Sequence, residues 1–208
     1  MSIPIKKVLQ DTQEVIAERL QWEPSERDSL LRIYNAIDKL SLLEFLGAKV
    51  LWEGNTVTVD AGNIQNKEIP STLVSRLRGS IVLLGPLLSR FGEVRMSYPG
   101  GCVLGKRPIE AHISALSQLG AKDESTDDAI ILRGKLKAGT VVLPEFSVTA
   151  SENALIAAAI TEGITTIELA AAEPHVQDTA KFLCACGVEI EGIGSHTLKI
   201  HGKKKLQS

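Results

Sequence analysis

Aromatic side chains are almost missing from this chain, at 4% of 208 residues. A core built from it has to be filled by Leu, Ile, Val and Ala instead. Cysteine is nearly as scarce. Cys102, Cys184 and Cys186 are an odd number, without the paired spacing of a zinc site or the density of a disulfide scaffold. Free thiols in a reducing, cytoplasmic setting are the simplest reading, with Cys184 and Cys186 as packing residues. The four histidines, His112, His175, His196 and His201, show no H-x-x-x-H or H-x-x-E spacing. They read as surface or structural residues, and neither a metal nor a cofactor is expected. Long apolar runs are lacking too. The stretch from Leu77 to Leu88 is interrupted by Arg78 and Pro86, and Ala154 to Ile160 is short, so no membrane span is expected. Lys6, Lys7, Asp11 and Glu14 break up the apolar residues before Leu20, so no secretory leader is expected either. Nor does one sign of charge dominate: 23 basic against 25 acidic residues give a net charge of −2. That balance excludes a general electrostatic attraction to nucleic acid or to an anionic membrane.

What is present is a pattern repeated three times. Leu46-Gly47-Ala48-Lys49-Val50 closes a helix-like stretch and opens a strand-like one. Leu119-Gly120-Ala121-Lys122 and Cys186-Gly187-Val188-Glu189-Ile190 do the same. Each glycine fits the position just past a helix, where a left-handed backbone is required. A hairpin pattern follows each: Lys49 to Trp52 with Thr56 to Asp60, a return strand Ala129 to Arg133, and Glu189 to Glu191 with Thr197 to His201. A helix precedes each, at Lys39 to Leu46, Pro108 to Leu119 and Val176 to Cys186. Before those helices come short strands at Leu31 to Tyr34, Val94 to Ser97 and Thr165 to Leu169. Longer helices stand earlier still: Lys7 to Leu20 in the first unit, Leu73 to Phe91 in the second, and Glu152 to Glu162, with Ser151 as N-cap, in the third. The unit reads β-α-β-α-β-β. Three copies, at about 1–62, 63–134 and 135–202, are expected to share their buried helices, because one unit cannot cover its apolar faces alone. The fold class is α/β (α+β). Residues 1–29 read as a divergent helix and loop, 30–202 as one domain, and 203–208 as a solvated basic tail.

The candidate chemistry gathers after the second unit's first strand. Tyr98-Pro99-Gly100-Gly101-Cys102 places a thiol behind two glycines that allow close approach to a ligand. Lys106 and Arg107 follow, and nearby positive charge lowers a thiol's pKa. A lone cysteine is also a common buried small hydrophobe, and spacing leaves both readings open. Arg107-Pro108 opens a helix with proline at its first position, which suits a phosphate or pyrophosphate site and equally an ordinary helix start. Arg78 lies inside an otherwise apolar helix, where it either snorkels or holds an anion. The loop Phe146-Ser147-Val148-Thr149-Ala150-Ser151 joins a strand at Val141 to Leu143 to the next helix. Its hydroxyls fit either a ligand or a helix cap.

Taken together, these strings resemble the UDP-N-acetylglucosamine enolpyruvyl transferase family. Leu77-Arg78-Gly79-Ser80-Ile81, Leu84-Gly85-Pro86-Leu87, Ser89-Arg90-Phe91-Gly92, Pro99-Gly100-Gly101-Cys102, Gly105-Lys106-Arg107-Pro108, Ser147-Val148, Ser151-Glu152-Asn153 and Glu173-Pro174 carry the likeness, which runs from about Leu31 to Gly202. The resemblance implies one of that family's two domains, an inside-out α/β barrel of three βαβαββ repeats. It implies transfer of the enolpyruvyl group of phosphoenolpyruvate to the 3′-hydroxyl of UDP-N-acetylglucosamine, the committed step toward peptidoglycan. On that likeness Cys102 is the proton donor and covalent partner of phosphoenolpyruvate. Arg78 contacts the nucleotide sugar, and Arg107, Pro108, Ile109, Glu110 and Ala111 line the uridine–phosphate site. Glu145, Phe146, Ser147 and Val148 form its other wall. The implied partners are these two small substrates, with a complementary second domain on another chain or a second copy; no nucleic acid and no membrane enter. The alternative is a non-catalytic nucleotide-sugar-binding or remnant module. The chain departs from the family's pattern in lacking the N-terminal Lys-Asn pair, in Glu145 where a basic residue is common, and in Thr149 where glycine is usual.

Overall fold

The structure is a computed structural model, and it describes residues 40–53, 56–75, 78–99 and 108–206. The expected elements at Lys7 to Leu20 and Leu31 to Tyr34 lie outside the described residues. So do Gly100 to Arg107, with Cys102 among them.

The third repeat shows the whole unit. Strand β6 (Thr140–Val142) leads into α5 (Val148–Ala159), then β7 (Gly163–Glu168), α6 (Pro174–Ala185), β8 (Glu189–Glu191) and β9 (Thr197–Gly202). Strands β6 and β7 are parallel, β7 and β9 antiparallel, and β9 and β8 antiparallel, giving the order β6-β7-β9-β8. The second repeat follows the same plan in reduced form. Ile69 makes a single parallel bridge to Met96, standing where β6 stands in the third. After it come α2 (Ser71–Val74), a 3-10 segment (Arg78–Leu83), α3 (Leu84–Phe91), β3 (Glu93–Ser97), α4 (Glu110–Gln118), β4 (Lys122–Asp123) and β5 (Ala129–Arg133), with sheet order β3-β5-β4. Of the first repeat the described residues hold a helix, α1, at 40–46 and the hairpin β1 (Lys49–Glu53) and β2 (Thr56–Asp60), in the register Val50↔Val59.

The three glycines behave alike. Gly47, Gly120 and Gly187 have φ of 109°, 101° and 89°. Each donates to the carbonyl three residues back, while the next residue donates five back: Ala48 to Leu43, Ala121 to Leu116 and Val188 to Leu183. This paired closure satisfies the last helical carbonyls and needs a left-handed residue. Gly120→Ala is expected to cost about 1 kcal/mol in a urea melt, because its added Cβ would meet only Lys135 O, at 3.5 Å. Gly47→Ala should cost more, because there the new Cβ would lie 2.7 Å from Asn63 O.

Helix α5 is the centre of the packing. Ala150, Ser151, Asn153, Ala154, Leu155, Ala157, Ala158 and Ala159 are all buried, so it is enclosed on nearly every side. Its alanines let α3, α4, α6, β7 and β9 approach closely. Leu84, Leu88, Leu116, Leu132, Val141, Ile167 and Ile200 fill the spaces between. With so few aromatics, small and branched aliphatic residues do supply the core. Thr165 of β7 is fully buried, and its hydroxyl has no partner among the described residues. Thr165→Val removes that hydroxyl at nearly constant shape and is expected to stabilise the chain by about 1 kcal/mol.

Three expectations are corrected. The helix expected from Leu73 to Phe91 is three pieces. Asn153 of α5 reaches into it: the Gly85 amide donates to Asn153 Oδ1 at 2.7 Å, and Asn153 Nδ2 donates to Ile81 O at 3.0 Å. The side chain stands where a helical bond from residue 85 to residue 81 would run, and Pro86 has no amide to offer Val82. Pro108 is not the first helical residue, because Ile109 (φ −116°, ψ 1°) is the N-cap of α4. Ile109 is buried in the core, which fixes the point where the chain turns into the helix. Ser151 is not an N-cap either. Ser147 (φ −104°, ψ 118°) caps α5, its hydroxyl accepting from the Ala150 amide. Ser151 lies inside the helix, donating to Ser147 O at 2.8 Å and accepting from the Ala171 amide at 2.9 Å. At the basic tail, the Lys203 amide donates to Ala159 O and its ammonium to Gly187 O. The first tail residue is therefore tied to the ends of α5 and α6.

Candidate functional site

A cavity of about 520 Å³ opens where three helical segments begin. Gly79 and Ile81 come from the 3-10 segment, Pro108 and His112 from the start of α4, and Glu145, Phe146, Ser147, Val148 and Thr149 from the loop and first turn of α5. Helix starts expose backbone amides with no intrahelical acceptor, and the aligned peptide dipoles add partial positive charge. Two of these starts belong to full α-helices, so the cavity suits an anion.

Two stretches that the sequence singled out meet here. Pro108 and the run Glu145 to Val148 line the same space. Ile109 and Ala111 do not turn their side chains toward solvent; both are buried in the core. Glu110 is exposed in the first turn of α4. Arg78 heads the 3-10 segment directly before Gly79, and Arg107 directly precedes Pro108. Arg107 and Cys102 lie outside the described residues, as does the Arg78 side chain. Among the described lining residues there is no lysine or arginine, and the one carboxylate is Glu145.

One lining residue, His112, reads in the sequence only as surface or structural. His112 is 3% exposed and lies 2.8 Å from Thr149 Oγ1 through its Nε2. It is a structural histidine, but one that borders the cavity. Its spacing carries no site signal, and it reaches the cavity because α4 packs on α5. Phe146 is 57% exposed and packs on His196, with ring centroids 4.6 Å apart. The His196 Nδ1 is 2.8 Å from Ala170 O.

At the end of the described residues before Gly100, the Tyr98 hydroxyl donates to Thr126 O at 2.8 Å. Burial pushes the Tyr98 pKa up, and the carboxylates of Asp123, Asp127 and Glu110 add to it, so the hydroxyl keeps the proton it donates. Elsewhere, Glu189, Glu191 and His201 cluster on the β8–β9 hairpin. Glu191 there is engaged by Lys199 at 2.9 Å and by His201 at 3.0 Å. Those two hydrogen bonds hold its carboxyl below the usual range. Cys184 and Cys186 are free and half-buried. Among the described residues no helix is long and apolar enough to cross a membrane.

The fold is that of enolpyruvyl transferases. The chain superposes on the enolpyruvyl transferase NikO from Streptomyces tendae with a TM-score of 0.67 at 28% identity, over 80% of this chain and 40% of that one. An EPSP synthase from Acinetobacter baumannii, at 22% identity and a TM-score of 0.62, shares the fold. The family model described as EPSP synthase (3-phosphoshikimate 1-carboxyvinyltransferase) matches residues 15–208, and the chain belongs to that family. Within it, the chain is 46% identical over 170 residues to the UDP-N-acetylglucosamine 1-carboxyvinyltransferase of Pelodictyon phaeoclathratiforme, covering 80% of this chain and 40% of the relative. It is 43% identical over 193 residues to the enzyme of the same name from Bradyrhizobium diazoefficiens, covering 92% and 45%. The chain thus spans less than half the length of the curated relatives it matches.

Proposed function

We propose that this chain is the cysteine-bearing part of a UDP-N-acetylglucosamine 1-carboxyvinyltransferase. The observation that carries the reading is the convergence of Pro108 with Glu145 to Val148 on one cavity at two α-helix starts. The nucleotide diphosphate sits over the open amides of α4 and α5. Arg78 and Arg107, each adjacent in the chain to a lining residue, bring the guanidinium charge that matches phosphate oxygens. Ile109 and Ala111 contribute through backbone, and Glu110 lies at the rim.

Cys102 protonates the methylene carbon of phosphoenolpyruvate, which leaves a cationic carbon at C2. The 3′-hydroxyl of the sugar attacks that carbon and loses its proton, giving a tetrahedral adduct. Inorganic phosphate then leaves C2 as the new methyl group gives up a proton, which restores the carbon–carbon double bond of the enolpyruvyl ether. A general acid held at the carbon supplies about 10²- to 10⁴-fold of rate. The groups that face Cys102 across the cleft belong to the part of the two-domain architecture that these residues do not span. Residues 30–202 form the domain, with repeats meeting near 62 and 134. The product feeds peptidoglycan assembly in the cytoplasm, and so cell-wall growth, cell shape and division.

Glu145 gives this reading a direct test. A carboxylate beside a diphosphate is repulsive, so Glu145→Lys is expected to tighten UDP-N-acetylglucosamine binding about five- to tenfold at low salt, with the gain shrinking as salt is added. Isothermal calorimetry on the two proteins reads both numbers. Equal affinities at every salt concentration would place the diphosphate away from this wall.

A further inference from the structure

The walls of the cavity are joined by two side-chain links. Asn153 binds α5 to the junction of the 3-10 segment and α3. The second link is the 2.8 Å contact between His112 Nε2 and Thr149 Oγ1. It has an unusual position. His112 is the third residue of α4 and Thr149 the second of α5, so it connects first turn to first turn. Within these turns the His112 and Ala150 amides are engaged by Ile109 O and Ser147 Oγ, and the amides before them precede any helical acceptor. Both partners also line the cavity, so a ligand meets the link itself as well as the amides beside it.

The helices do not depend on this bond to stay together. Ala115 and Leu116 of α4 and Ala150 and Ala154 of α5 belong to one buried apolar cluster. What the bond adds is a fixed spacing between two sets of outward amides at the cavity mouth. An arrangement held in advance binds more tightly, because less ordering remains to be done when the ligand arrives.

We propose that the His112–Thr149 pair is a positioning element for a diphosphate-bearing ligand, holding the starts of α4 and α5 at the spacing from which both donate to the same group. This rests on the nucleotide-sugar reading above. His112 and Thr149 act through the amides they position.

Thr149→Val keeps the shape of the side chain and removes only its hydroxyl, while Thr149→Ser keeps the hydroxyl. Calorimetry with UDP-N-acetylglucosamine is expected to show about tenfold weaker binding for Thr149→Val and binding within about twofold of wild type for Thr149→Ser. The melting midpoints of the two variants should stay close to each other. His112→Leu breaks the same bond from the other helix and is expected to weaken binding in the same direction. A Thr149→Val protein that binds as tightly as wild type overturns the inference alone. So does a Thr149→Ser protein that loses as much affinity as Thr149→Val. A wild-type chain that does not bind UDP-N-acetylglucosamine overturns the nucleotide-sugar reading, and this inference with it.

Discussion

Asn153→Ala is expected to lower the stability of the chain by about 3 kcal/mol, among the largest losses a single polar truncation gives. Asn153 is fully buried at the centre of α5. Its amide group serves the Gly85 N–H and the Ile81 carbonyl together. The N-cap of α3, Leu83, has no side chain able to cap, so Asn153 supplies from another helix the acceptor that a local serine or aspartate would provide. Truncation leaves a buried donor and a buried acceptor unpaired and opens a small void. The backbone cannot readily close the gap by forming the direct bond, because Gly85 already lies against Asn153: a Cβ on residue 85 would meet Asn153 O at 2.5 Å. Urea unfolding measures the change, and thermal melting should show a drop of roughly 6–12 °C. A loss under about 1 kcal/mol would mean that the 3-10 segment and α3 rejoin into one helix.

The second large effect concerns Cys102. Incubation with phosphoenolpyruvate or with a phosphono-epoxide is expected to add one molecule of reagent per chain, seen by intact mass. Cys102→Ala should abolish the adduct, whereas Cys184→Ala and Cys186→Ala should leave it unchanged. In the first case the thiol gives its proton to the methylene carbon and the thiolate sulfur left behind bonds to C2; in the second the thiolate opens the epoxide ring, whose oxygen takes up a proton from water. Both reactions need the thiolate, which Lys106 and Arg107 favour through their charge. Cys184 and Cys186 are half-buried and lie at the C-terminal end of α6, where the helix dipole disfavours a thiolate. The adduct is the right readout because it reports on the Cys102 thiol directly, without requiring turnover. Equal labelling of all three cysteines would remove Cys102 from its role.

Much of the fold is legible in the sequence because the repeat is written in residues with fixed conformational demands. Gly47, Gly120 and Gly187 each require the left-handed region, and each is followed by strand-forming residues, so three helix ends and three hairpins can be placed before any contact is known. The broken helix between residues 73 and 91 could not be read that way. Its apolar spacing is helical throughout, and what interrupts it is Asn153, distant in sequence and visible only after the repeats pack. The caps shifted for a related reason. Ser147 and Ser151 are equally good capping residues by type, and the choice fell to the one whose backbone is extended. Ser151 was instead needed inside, to meet the Ala171 amide.

The site was legible as strings and not as a surface. Pro108 and Glu145 to Val148 stood out as motif residues, and the fold brings them to one cavity. His112 reads as surface or structural and Thr149 as one hydroxyl of a candidate loop, and nothing in their spacing pairs the two until two helix starts come together. Ile109 and Ala111 show the reverse case: residues of a binding string whose side chains serve the core.

The central claim is that the cavity at these helix starts is where a nucleotide sugar binds. Titrating the isotopically labelled chain with UDP-N-acetylglucosamine and following amide shifts tests it most directly. The account predicts saturable shifts concentrated at Gly79 to Ile81, Glu110 to His112 and Glu145 to Thr149. Saturable shifts centred instead on the groove beside Lys135, Lys137 and Lys204, or no shifts at all, would contradict it.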